Sequence, residues 1–200
     1  SELRSLLGKG DQTVCEYRTA HDVTLWPLEL TEAQYFAGKE PVAQLDLPEL
    51  SRVRAGIRLR LRTTLPGLAF NKLALDRLPL FLHGSDALPA RLHEQLLTST
   101  VMLVARPGRR PVPWHERLAS GSIQRMGFED HQALLPCPPA AFQGYRLLHE
   151  YFAFPQRYLF VEFSGLKPAI QRCTDQELEL RILLSRAVPV LENAIAAANF

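Results

Sequence analysis

The clearest periodicity in the chain is the alternation of RVRAGIRLRLRTT, residues 52–64, where Ile57, Leu59 and Leu61 interleave with Arg58, Arg60 and Arg62. A period of two predicts a strand with one buried and one wet face. Shorter runs of the same kind predict strands at 13–18 (TVCEYR), 22–26 (DVTLW), 28–33 (LELTEA), 100–105 (TVMLVA), 157–163 (RYLFVEF) and 178–185 (LELRILLS). Leu73, Leu75, Leu80 and Leu82 predict an extended pair of segments broken at Pro79.

Helical spacing is rarer. Leu88, Leu92, Leu96 and Leu97 share a face in a helix predicted over about 87–97, with Ser85 or Asp86 as its cap. Phe142, Tyr145, Leu148 and Phe152 recur at helical spacing in 139–152, and Pro155 stops that helix. A short Ala-rich helix is expected after Pro189. The stretches 37–48 and 115–138 carry weak periodicity and are expected to be irregular.

This pattern predicts an α+β fold, rich in largely antiparallel strands, sandwich- or barrel-like, with a few short helices. The segment RPGRRPVPW, 106–114, has three prolines and a glycine. It is expected to divide a β-rich lobe with one inserted helix (1–105) from a mixed α/β lobe (115–200). The aromatic stripe of 139–152 is expected to bury itself on the sheet, with Phe160 and Leu159 or Val161, because each buried ring removes a large apolar area from water.

Composition narrows the function classes. With 46% hydrophobic and 22% charged residues, the chain has the makeup of a folded domain rather than a disordered one. No run of about eighteen apolar residues exists, so no membrane-spanning helix is expected. The net charge of +2 gives no bulk attraction to nucleic acid. All but four of the 23 basic residues are Arg, a planar bidentate donor suited to protein interfaces. Residues 1–100 hold 12 basic and 12 acidic side chains, so the arginine face of 52–62 is a local patch. Arg58, Arg60 and Arg62 are the candidate partner-binding residues: unless carboxylates within the chain pair with them, a partner supplies the counter-charge. The acidic run of Glu177 and Glu179 is the best-matched internal counterpart, but is expected in the other lobe.

Catalytic chemistry finds little to build on. None of His93, His115 or His149, each followed by Glu, has a second His four residues on, so the zinc-protease pattern is absent. Cys15, Cys137 and Cys173 are widely spaced and form no C-x-x-C, which fits a reducing compartment. There is no phosphate-binding glycine loop and no G-x-S-x-G elbow. No catalytic residue, metal or cofactor is expected. The competing class is a β-rich ligand-binding or enzyme domain with a site assembled from distant residues.

Several long, irregular blocks do carry identity. GYRLLHEYFAFPQRYLFVEFSGL (144–166) resembles the hallmark segment of the TssF family, also called ImpG or VasA, of bacterial type VI secretion. CEYRTAHDVTLWPLEL (15–30), Leu59 to Thr63 with the residues before them, LDRLPLFLHG (75–84) and MGFEDHQALLP (126–136) are similar to it in the same order. The resemblance covers nearly the whole chain, which corresponds to a central region of longer proteins. It implies a structural, non-enzymatic subunit of the baseplate wedge. The implied partners are TssG, and through it TssK and TssE, with further TssF copies and the spike. The implied place is the cytoplasmic side of the bacterial inner membrane, without nucleic acid and without membrane insertion.

Overall fold

The computed structural model describes residues 2–4, 13–38, 48–85, 87–136 and 142–200. Its centre is a five-stranded antiparallel sheet in the order β3-β4-β10-β6-β7. These strands are β3 (Leu28–Ala37), β4 (Ala55–Thr63), β6 (Thr100–Pro107), β7 (Glu116–Leu118) and β10 (Glu177–Leu184). A three-stranded sheet, β5-β9-β8, comprises β5 (Leu78–Phe81), β8 (Ile123–Arg125) and β9 (Phe160–Phe163). The hairpin of β1 (Glu2–Arg4) and β2 (Glu16–Arg18) pairs separately. The fold is thus strand-rich, antiparallel α+β, as the alternation predicts. The sheets are open, so the barrel-like form is not the one adopted.

Alternation selects the core. Ile57, Leu59 and Leu61 of β4 lie beside Leu178, Leu180 and Ile182 of β10, and all are buried. Leu103 and Ala105 of β6 extend the same face. Helix α1 (Leu88–Thr98) packs on β6, β10 and β8 through Leu92 and Leu96. Val161 and Phe163 of β9 and Ile170 of the short helix α3 (Lys167–Arg172) close the same cluster. β10 is buried on both sides from Leu178 onward, which is why a run as apolar as Ile182-Leu183-Leu184 sits mid-sheet. Close packing fixes one glycine: a Cβ on Gly56 would stand 2.7 Å from the Ile182 carbonyl oxygen and collide with the Phe36 ring.

Several expectations are corrected here. The Pro/Gly-rich stretch 106–114 joins β6 to β7 within one sheet, and β10, from beyond it, is inserted between β4 and β6. One hydrophobic cluster draws residues from both sides, so the division drawn at 106–114 separates no cores: long-range pairing overrides local turn composition. Residues 22–26 form an arm that joins no strand among the described residues, with Val23 and Leu25 exposed. The stretch 115–138 supplies two short strands, β7 and β8. The Ala-rich end forms short 3-10 turns at Pro189–Leu191 and Ala197–Asn199 rather than an α-helix. α1 begins after Ala87 without a side-chain cap, and Asp86 lies outside the described residues. Pro79 stands inside β5, which tolerates it because β5 is a sheet edge.

Burial pushes the Cys173 thiol up to about 11. Because the thiolate is the nucleophile, iodoacetamide at pH 8 is expected to leave Cys173 unmodified in the folded chain and to label it in urea. Peptide mapping by mass spectrometry reads this directly, and native-state labelling of Cys173 would contradict its packing. Cys15 is exposed, and Cys137 lies outside the described residues.

Candidate partner-binding surfaces

Helix α2 (Gln143–Ala153) carries the aromatic stripe, and the structure turns it the opposite way from the expectation. Tyr145 is 71% and Phe152 77% exposed, and Phe142, Leu148 and Tyr151 are exposed as well. The residues facing inward are Arg146 and Glu150, the latter 1% exposed. They stand four apart on one face and pair at 3.1 Å.

The reason lies in the backbone beneath the helix. The Glu150 carboxylate accepts hydrogen bonds from the backbone N–H groups of Leu134 (2.8 Å) and Leu135 (3.0 Å), as well as from Arg146. Arg146 donates to the Phe128 carbonyl at 3.0 Å. Tyr158 donates to the Leu147 carbonyl at 3.2 Å and lies 3.4 Å from Glu150. Residues 126–136 contain no strand and only a short 3-10 turn, so their amides need partners from side chains. A buried, paired and fully hydrogen-bonded carboxylate meets that need, while an aromatic face could not. Burial, followed by the charge of Glu150, pushes the Tyr158 hydroxyl up, so it remains a donor.

The aromatic face is therefore displayed. Phe142 and Tyr145 stack edge-to-face at 5.6 Å, and Tyr151 and Phe152 at 5.7 Å. α2 ends where Phe154 donates to the Glu150 carbonyl and Pro155 follows. Of the other residues expected in the core, Val161 is fully buried and Leu159 and Phe160 are half-buried. Sequence reasoning missed Arg146 and Glu150 as inward groups. Their spacing of four was the available signal, but hydrophobicity alone favours burying the rings.

Arg58, Arg60 and Arg62 do point away from the core, as alternation requires. Each meets a carboxylate of a neighbouring strand. Arg58 pairs with Glu32 and donates to the Gln34 amide oxygen at 2.7 Å. Arg60 lies 3.6 Å from Glu32 and 3.7 Å from Glu179, and Arg62 pairs with Glu29 at 2.5 Å. Glu179, expected in another lobe, is beside Arg60 in the pairing of β10 with β4. It also pairs with Arg106 at 2.7 Å and Arg181 at 2.5 Å. Burial alone would raise its carboxyl. The hydrogen bonds and charges of Arg181 and Arg106 outweigh that and hold it below the usual carboxylate value. The condition for assigning the arginines to an outside partner, that nothing in the chain pairs with them, is not met.

Among the described residues, no three His, Cys, Asp or Glu side chains gather as a metal cluster, and no helix is long and apolar enough to cross a membrane. The strand-rich scaffold buries the ion pair of α2 and shows the helix's rings to solvent, the kind of exposed apolar patch that marks interaction sites. Residues 1–200 match the family model described as type VI secretion system, TssF, and the chain belongs to that family. It is 50% identical over 197 residues to the type VI secretion system component TssF1 of Pseudomonas aeruginosa, covering 98% of this chain and 31% of that protein. Its fold also matches a chain of the TssK-TssF-TssG baseplate subcomplex solved by cryo-electron microscopy. There the TM-score is 0.69 and the identity 22%, over 94% of this chain and 32% of that one. The chain thus spans about a third of the length of each relative.

Proposed function

We propose that this chain is a structural part of a type VI secretion baseplate wedge, with no catalytic role, working by protein-protein contact. Its contacts are with TssG, and through it TssK and TssE, with further TssF copies and the spike, on the cytoplasmic side of the inner membrane. The observation that carries the reading is the solvent-facing aromatic row of α2, held by a buried ion pair. Exposed aromatics in a contiguous row are what interface anchors are made of. Family membership supports the choice of machine. The arginine face adds to this only at its rim, where Arg62 is half exposed.

The test is a double variant, Tyr145→Glu with Phe152→Glu. Both side chains are exposed, so thermal unfolding is expected within about 2 °C of the parent. Capture of purified TssG and TssK should fall at least tenfold, since loss of two anchors costs roughly 2 kcal/mol or more. Undiminished capture would remove α2 from the interface.

A further inference from the structure

A groove of about 700 Å³ lies between the arm at 21–26 and the β5-β9-β8 sheet. Its apolar lining includes Val23, Trp26, Phe154 and Phe160. Two buried nitrogen atoms in its lining have no partner among the described residues. Arg157 is only 8% exposed; one Nη donates to the Gln132 carbonyl at 3.1 Å, but its Nε has no acceptor among the described residues. Nε2 of His21, also buried, has no partner there either. A buried N–H without an acceptor is rare in native proteins and marks a place where something else completes the bonding.

The charges around the groove choose among ligands. Arg77 is paired with Glu162 at 3.1 Å. That leaves the Asp22 carboxylate and one oxygen of Asp76, whose other oxygen accepts the Lys167 N–H at 3.0 Å, in the lining against the one buried guanidinium of Arg157. An acidic ligand would meet those carboxylates. A neutral backbone carbonyl suits the lone Arg157 N–H, and a neighbouring peptide group can meet His21. Apolar side chains, alternating along an extended strand, suit the aromatic walls. The volume falls within the range of ligand-holding clefts.

We propose that this groove binds an extended, apolar segment of a partner protein that carries basic residues at its flank. The segment lies between the arm and the sheet, one carbonyl on Arg157 Nε, with its basic flank toward Asp22 and Asp76. The proposal stands on the groove and goes beyond the baseplate reading, which α2 variants test separately.

The probe is a capped six-residue peptide with a Val-Leu-Phe-Val centre and a lysine at each end, titrated calorimetrically into the 200-residue chain. A second peptide has glutamates at both ends. The expected result is saturable binding of the lysine peptide and at least tenfold weaker binding of the glutamate peptide. Amide NMR shifts should concentrate at 21–26 and 154–160. Asp22 is exposed, so Asp22→Lys is expected to keep the fold and to narrow the preference at least threefold. No binding of either peptide, equal binding of both, or shifts that bypass the groove would overturn the proposal.

Discussion

Glu150→Ala is expected to lower stability by roughly 3–5 kcal/mol, the usual result of removing one partner of a buried pair. Phe152→Ala, two residues further along the same helix, is expected to change it by less than about 1 kcal/mol. Hydrophobicity alone ranks the two the other way. The structure reverses the order because Glu150 is 1% exposed and Phe152 77% exposed. Truncating Glu150 leaves the Arg146 guanidinium buried and short of a counter-charge. It also strands the amides of Leu134 and Leu135, which have no strand to join. Replacing both Arg146 and Glu150 with Met should recover the charge part of the loss but not the two amides, so the double variant should fall between the single variant and the parent. For a chain of this size the single loss appears as a fall in Tm of about 10 °C. Parallel thermal unfolding of the three variants decides the matter, and a larger loss for Phe152→Ala than for Glu150→Ala would mean the helix is turned the other way.

Glu179→Ala is expected to cost a similar amount, roughly 3–5 kcal/mol, for a related reason. One buried carboxylate faces Arg60, Arg106 and Arg181, so its loss leaves neighbouring guanidiniums unbalanced at the centre of the sheet. The burial that surrounds it also lowers the pKa of the Arg106 guanidinium, a second sign of desolvated charge. The pH dependence follows from the direction of the Glu179 shift. Its folded carboxyl is held below its unfolded value, which is about 4.3. The stability it contributes is therefore fully present above that unfolded value and is lost as pH falls through the folded one. Urea midpoints measured from pH 7 down to pH 3 should fall for the parent below about pH 4. They should fall less steeply for Glu179→Gln, which has no proton to take up there. Parallel slopes for parent and variant would show that Glu179 does not carry the acid sensitivity.

The arginine-carboxylate face and α2 divide what was legible from what was not. Alternation alone placed Ile57, Leu59 and Leu61 inside and Arg58, Arg60 and Arg62 outside, because a period of two leaves a strand no other choice once one face is buried. The same logic marked β6, β10 and part of β9. Which carboxylates answer the arginines was not local information. Glu29, Glu32 and Glu179 reach them only through the order β3-β4-β10, and strand order depends on pairing between segments far apart in sequence. That order also dissolved the boundary at 106–114, which proved to be the end of β6, Pro107 included, and its connection to β7 in the same sheet.

For α2 the sequence determined the helix and its two faces: rings on one, Arg146 and Glu150 on the other. It also determined the family, since irregular blocks spread across the whole chain carry that resemblance and the family model spans residues 1–200. The tertiary structure alone decided which face of α2 turns inward. The deciding quantity was the hydrogen-bonding need of the amides at 134–135, which is absent from any reading of the helix by itself. Two stranded amides together with a buried guanidinium lacking its carboxylate cost more than burying a ring gains.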